Sequence, residues 1–236
     1  MKSEEAAAKR PARIILSAGG KGGVGKSTVT IGLIDALLED GDSPVLVESD
    51  TSNPDVWKMY GEALDHKLIN LDTVDGWIDL VNYAAEMGGR TLVVNTAARN
   101  NEGLEKFGRM LRDSLPELDR ELVTLWVINR QRDSLELLKA FREVMPDTTV
   151  HVLRNGYFGE EHKFELYNGS KLRDDIEAAG GRSYLFPDLA DRVSDDLFSK
   201  RMTVHAALKE LPIGNRAELR RWRDATREVI RDALRT

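Results

Sequence analysis

Eight consecutive residues near the start of this chain, Gly20, Lys21, Gly22, Gly23, Val24, Gly25, Lys26 and Ser27, constrain it more than any other stretch. They spell G-x-x-x-x-G-K-S, and Thr28 follows. The apolar run Ile14-Ile15-Leu16 precedes them and a helix-like stretch comes after. Strand, glycine-rich loop and helix in that order make an anion cradle. The strand delivers the loop to the carboxyl edge of a sheet. The glycines let successive backbone N–H groups turn inward, and the helix aims its positive dipole end at the same anion. In such a loop Lys26 reaches the β- and γ-phosphates of a nucleotide and Ser27 offers its hydroxyl to Mg²⁺.

The rest of the chain alternates short apolar runs with helical periodicity. That pattern predicts an α/β fold: a doubly wound, mostly parallel sheet flanked by helices. Strands are expected at Ile14–Ala18, Val45–Val47, Thr91–Val94, Leu122–Ile128, Thr149–Leu153 and Ser183–Phe186, short runs bounded by polar residues or glycine. The first helix is expected over Lys26–Glu39, with Gly41 as its stop. Later helices fall near Asp75–Met87, Glu102–Leu115, Ser134–Met145, Val204–Glu210 and Arg216–Leu234, with Pro116 and Pro146 punctuating two of them. Between Asn155 and Gly181, Tyr157, Phe158, Phe164 and Tyr167 are mixed with charges. That segment reads either as a lid or partner-facing insertion or as a solvated connection. Residues 1–12 read as a polar arm and 13–236 as one domain.

Composition narrows the function classes. The chain has 236 residues and no cysteine, which excludes a disulfide framework and cysteine-ligated zinc or iron–sulfur sites. No apolar run approaches the length of a membrane span, and the first residues lack the apolar centre of a secretory signal, so a cytoplasmic setting fits. The net charge of −6 argues against a generic nucleic-acid binder, though not against a local basic face. His66, His151, His162 and His205 show no metal-ligand spacing.

The loop carries an early second lysine, Lys21, and the string KGGVGKST resembles the ParA/MinD family of deviant Walker ATPases. In that family the early lysine reaches across a nucleotide-sandwich dimer to the partner's phosphates. The resemblance implies that role for Lys21, a homodimer on ATP binding, and ATP with Mg²⁺ as ligands. A plainer reading stands beside it: any lysine beside a polyphosphate helps electrostatically. The family also carries D-x-D and then an asparagine after its second strand, where this chain has Glu48, Ser49, Asp50 and Asn53. By resemblance Asp50 positions the attacking water and lies on the metal side with Ser27, and Asn53 is a switch residue. Capping a polar turn is the other reading of Asp50. Related ATPases end the next strand with an aspartate, but TLVVN ends in Asn95. An amide brings no charge, so weaker Mg²⁺ affinity or turnover is expected unless Glu48 compensates. Asn155, after HVLR, matches the base-binding asparagine, with Asn129 its rival, and Pro187 lies in the loop that closes over the base.

Three weaker matches resemble the plasmid-transfer branch of TraL- and StbB-type proteins: the spacing of Asp50 and Asn53, RNGYFGEEHKFE, and MTVHAALKE. They imply a partner in transfer machinery. A partition ATPase that tracks along DNA is the alternative, and it needs a basic face. Arg216, Arg220, Arg221, Arg223, Arg227, Arg231 and Arg235 offer one, but Glu218, Asp224, Glu228 and Asp232 interleave with them. A solvated helix laced with ion pairs and a DNA-contacting helix are both open. A nucleotide-gated scaffold with negligible hydrolysis is a further reading. No terminal stretch is both basic and strongly apolar, so stable membrane insertion is not expected.

Overall fold

The computed structural model describes residues 12–98 and 100–235. Seven strands form one sheet: β1 (Ala12–Ala18), β2 (Val45–Glu48), β3 (His66–Leu68), β4 (Leu92–Asn95), β5 (Arg120–Ile128), β6 (Thr149–Asn155) and β7 (Ser183–Phe186). Their order is β3-β2-β4-β1-β5-β6-β7, and every described pairing is parallel. The sheet has helices on both faces, so its inner strands are buried twice over and read as unbroken apolar runs. In β1, Ile14, Leu16 and Ala18 enter one core and Ile15 enters the other.

Helices α3 (Val74–Glu86), α4 (Asn101–Leu118) and α5 (Arg132–Val144) cover the first face. Their buried Trp77, Leu80, Leu111 and Phe141 pack on Trp126 of β5 and its neighbours. The other face carries α1 (Lys26–Glu39), α2 (Asp55–Tyr60), the pair α8 (Asp191–Ser199) and α9 (Val204–Glu210), and α10 (Ile213–Ala233). Between β6 and β7 lie α6 (Glu165–Asn168) and α7 (Lys171–Ala178). Among the described residues no helix is long and apolar enough to cross a membrane.

Several expectations need correction. Ala12 belongs to β1, which takes it out of the expected arm, and residues 1–11 lie outside the described residues. Pro116 does not stop α4. It sits in the last turn, and the helix ends at Leu118, where Asp119 turns left-handed at φ 50°. A proline that late forfeits one hydrogen bond without displacing a continuing helix. The segment after Asn155 divides its aromatics. Phe164 and Tyr167 are core residues at 1% exposure each, and Tyr157 is 61% exposed. Only the outward part fits a lid or partner surface.

Candidate functional site

The loop between β1 and α1 lies at the carboxyl edge of the central strand, where ligands bind in open α/β sheets. Gly23 and Gly25 have φ of 74° and 105°, which a side chain resists. At Gly25 a Cβ would also collide with the amide of Asn155. No side chain caps the start of α1, and its first turn carries no acidic residue. Its leading N–H groups and its dipole are therefore left for an anion. Lys26 is buried and its Nζ donates to Lys21 O at 2.8 Å, so it bridges the loop from within. Burial lowers its pKa to about 8, and the negative charge of Asp50 works in the opposite direction. A phosphate here would restore the full ammonium charge. Ser27 and Thr28 follow as the second and third residues of α1.

Lys21 turns back on its own chain. Its Nζ pairs with the Asp133 carboxylate and lies 3.2 Å from Gln131 Oε1, both at the start of α5. Asp50 behaves as the turn cap: Oδ1 accepts from Ser52 Oγ at 2.8 Å and from Asn53 N at 3.1 Å. It nonetheless lies close enough to Lys26 for its charge to act there. Asn53 is exposed and bonded to Asp55 and Lys58 at the start of α2, so it is not brought to the phosphate loop.

Asn155 ends β6, donates from Nδ2 to Val24 O at 2.8 Å, and accepts from Tyr157 N at 3.1 Å. With Gly23, Thr28, Tyr157 and Pro187 it lines a cleft that opens beside the loop. Asn129, the rival, is held in the turn before α5, where its Oδ1 accepts from Gln131 N and Ser134 Oγ, and it lines a separate groove with Arg130 and Lys163. The geometry therefore places Asn155 and Pro187 together next to the loop and leaves Asn129 outside that cleft.

Behind the loop runs a buried polar network. Thr30 Oγ1 lies 2.9 Å from both Asn95 Oδ1 and Lys26 O, with one proton to share between them, and Asn95 Nδ2 donates to Glu48 Oε1 at 2.9 Å. Asp50 N donates to the same Oε1 at 3.0 Å. Glu48 is fully buried, and burial lifts its pKa to about 7 against the bonds from Asp50 and Asn95. A second set of contacts ties the surrounding loops together. Asn100 Oδ1 accepts from Ser49 Oγ and Ala97 N, each at 2.6 Å, and Asn101 Nδ2 donates to Gly20 O at 3.1 Å. The loops after β2 and β4 are thus tied to each other and to the phosphate loop. Sequence reading missed Thr30, Asn100 and Asn101, which lie in no motif, and gave no role to Ser49 between Glu48 and Asp50; the order of the strands in space, not in sequence, brings them in.

The residues present fit Mg²⁺. Ser27 and Asp50 offer oxygen donors, and Glu48 Oε2 is a buried carboxylate oxygen without a hydrogen-bond partner. Among the described residues no three His, Cys, Asp or Glu side chains form a cage on their own. An ion here would therefore complete its shell with phosphate oxygens and water, as Mg²⁺ does.

The C-terminal arginines are largely committed. Arg223 pairs with Asp35 at 2.7 Å and with Glu39, Arg227 with Glu39 and Asp40, and Arg231 with Asp40, all acids of α1 or its C-cap. Arg221 pairs with Glu218 at 2.6 Å. The continuous basic face that DNA contact would need is therefore broken: Arg223 and Arg227 are used to bind α10 to α1.

A model of the CobQ/CobB/MinD/ParA nucleotide-binding domain matches residues 15–155. Protein MobD of Acidithiobacillus ferrooxidans is 60% identical over 221 residues, spanning 94% of this chain and 97% of that protein. Among solved structures, the MinD cell division protein of Aquifex aeolicus superposes with a TM-score of 0.54 at 14% identity, covering 93% of this chain and 96% of that one. The cell division ATPase MinD of Pyrococcus furiosus gives 0.51 at 18% identity, covering 92% and 99%. At those identities the structural likeness concerns the fold.

Proposed function

The chain belongs to the CobQ/CobB/MinD/ParA nucleotide-binding family, and from that premise we propose that it is a Mg·ATP-dependent ATPase that dimerises across its nucleotide and serves plasmid conjugal transfer or mobilisation. The carrying observation is the phosphate loop, with its two left-handed glycines, its uncapped helix start and Lys26 bridging it from within. In this reading Lys26 and the backbone of Gly20–Thr28 hold the phosphates. Lys21 crosses to the partner's nucleotide, and Ser27 and Asp50 lie on the Mg²⁺ side. Asp50 orients the attacking water, and Asn53 moves with that loop as a switch. Asn155 and Pro187 close over the base. Bound Mg²⁺ supplies charge neutralisation on the transferred phosphoryl group. A mobilisation-type relative at 60% identity, together with the RNGYFGEEHKFE and MTVHAALKE segments, supports a partner in transfer machinery.

Size-exclusion chromatography with light scattering tests the switch. The purified chain should be monomeric with ADP and dimeric with Mg²⁺ and a non-hydrolysable ATP analogue. A chain that stays monomeric with saturating analogue contradicts the proposal. A second reading, a nucleotide-gated scaffold with negligible hydrolysis, is favoured by one observation: Asp50 and Asn95 are both engaged in internal hydrogen bonds. Steady-state phosphate release separates the two. The DNA-track alternative draws little support, because α1 takes up Arg223, Arg227 and Arg231.

A further inference from the structure

We propose that α10 is the strut that sets the base side of the nucleotide cleft, with Trp222 and Arg221 as positioning residues for the connection 187–190. The inference rests on the nucleotide-site reading above and gives a role to a helix which that reading leaves without one.

A nucleotide whose phosphates lie in the loop must place its base in the adjoining cleft. Asn155 and Tyr157 line that cleft together with Pro187, Asp188 and Leu189. Residues 187–190 join β7 to α8 without regular secondary structure, and no side chain caps the start of α8. Such a connection has no internal ladder to stiffen it, so its shape depends on what holds it from outside. Three of its four residues are held from α10. Trp222 Nε1 donates to Pro187 O at 3.1 Å, Arg221 Nη2 donates to Asp188 O at 2.8 Å, and Glu218 Oε1 accepts from Ala190 N at 3.4 Å. Asn215 Nδ2 donates to Asp196 Oδ2 at 2.7 Å and so fixes α8 to the same helix.

The anchors are themselves held firmly. Trp222 is fully buried and meets Phe186, the last residue of β7, edge-on with 6.2 Å between ring centroids. Glu218 and Arg221 lie one turn apart and pair with each other, so each steadies the other against its backbone partner. All three bonds go to main-chain groups of the connection, which leaves its side chains to the cleft. On its other side α10 is pinned to α1 through Arg223 and Asp35, and α1 begins in the phosphate loop. One helix therefore fixes the base half of the cleft relative to the phosphate half. Without the anchors, the nucleotide would have to order the connection itself, and that entropy would be subtracted from its affinity. Phosphates alone would not feel the loss, because none of the three bonds touches the phosphate loop.

Isothermal titration with the Mg²⁺ complexes of ATP and of inorganic tripolyphosphate separates the two halves. Trp222→Phe keeps an aromatic ring and loses the bond to Pro187 O, and Arg221→Ala loses the bond to Asp188 O. Each should weaken ATP about fivefold, the equivalent of one hydrogen bond, and both together at least about tenfold. Tripolyphosphate affinity should stay at the wild-type value in every variant. Arg221→Lys, which keeps a donor, should bind ATP more tightly than Arg221→Ala. Unchanged ATP affinity in the double variant overturns the inference. Parallel losses of ATP and tripolyphosphate also overturn it, because α10 would then support the domain as a whole. If Trp222→Phe does not fold, Arg221→Ala decides alone, since that side chain is exposed. A wild type that binds ATP no better than tripolyphosphate refutes the base cleft. One that binds neither refutes the underlying nucleotide-site reading and removes this inference with it.

Discussion

Lys21 shows how a residue readable from sequence acquires a context only the fold supplies. Its place in the loop was legible; its present partner, Asp133, is 112 positions away and meets it only because β5 lies beside β1. If Lys21 must leave α5 to reach a partner's phosphates, the contact with Asp133 opposes dimerisation. Asp133→Asn should then strengthen analogue-induced dimers, by no more than about fivefold since the pair is partly exposed. Lys21→Ala should abolish them while leaving monomeric nucleotide binding intact. Light scattering across a protein dilution series reads both, and dimers persisting in Lys21→Ala would remove the cross-interface role. The loop was legible because its chemistry is contiguous. The Thr30, Asn95 and Glu48 network was not, because it joins α1, β4 and β2 and exists only in the register of the sheet.

At the scale of elements, apolar strands and periodic helices were legible, down to the four-residue β7 and the seven-residue α9, and the elements with a weaker pattern were not. β3 spans three residues, His66 to Leu68, with no apolar run to announce it, and α2 and α8 are brief and amphipathic. The packing of α10 on α1 could not be read from local pattern. There Gly32 admits the neighbouring helix: a Cβ would stand 2.5 Å from Thr226 Cγ2 and 3.3 Å from Trp222. Gly32→Ala should therefore destabilise by about 1–3 kcal/mol despite its better helix propensity, and a stabilised variant would contradict the close approach. The arginines sort in the same way. Arg223→Ala leaves Asp35, only 4% exposed, without its closest partner. It should cost roughly 3 kcal/mol, while Arg220→Ala on the exposed face should change stability by less than about 0.5 kcal/mol. Urea unfolding midpoints compare the two, and equal losses would refute the assignment of Arg223 to the α1 contact. DNA retention is then best probed through Arg220 and Arg235, which are exposed.

Across the whole molecule the sheet carries a core on each face, and its one fully buried histidine is His151 on β6. Its Nδ1 accepts from Arg182 N at 3.2 Å, and burial depresses its pKa from 6.5 to about 4. Between those values the unfolded chain binds a proton that the folded chain refuses. Its stabilising contribution is complete above about pH 6.5 and is lost as pH falls toward 4, by roughly 3 kcal/mol in all. His151→Asn keeps an acceptor for Arg182 N and removes the titration, so its stability should fall less steeply between pH 6.5 and 5; parallel curves would contradict this. The fold was legible as a class because parallel strands buried on both faces advertise themselves as apolar runs. The proposed function is concentrated at one edge of that sheet, where the loop around Lys26 is proposed to bind the phosphates of ATP. Isothermal titration of Mg·ATP into wild type and Lys26→Ala, with circular dichroism to verify that both are folded, tests it most directly. One ATP per wild-type chain and a loss of at least about a hundredfold in the variant is the expected result; equal affinity in the two proteins would contradict it.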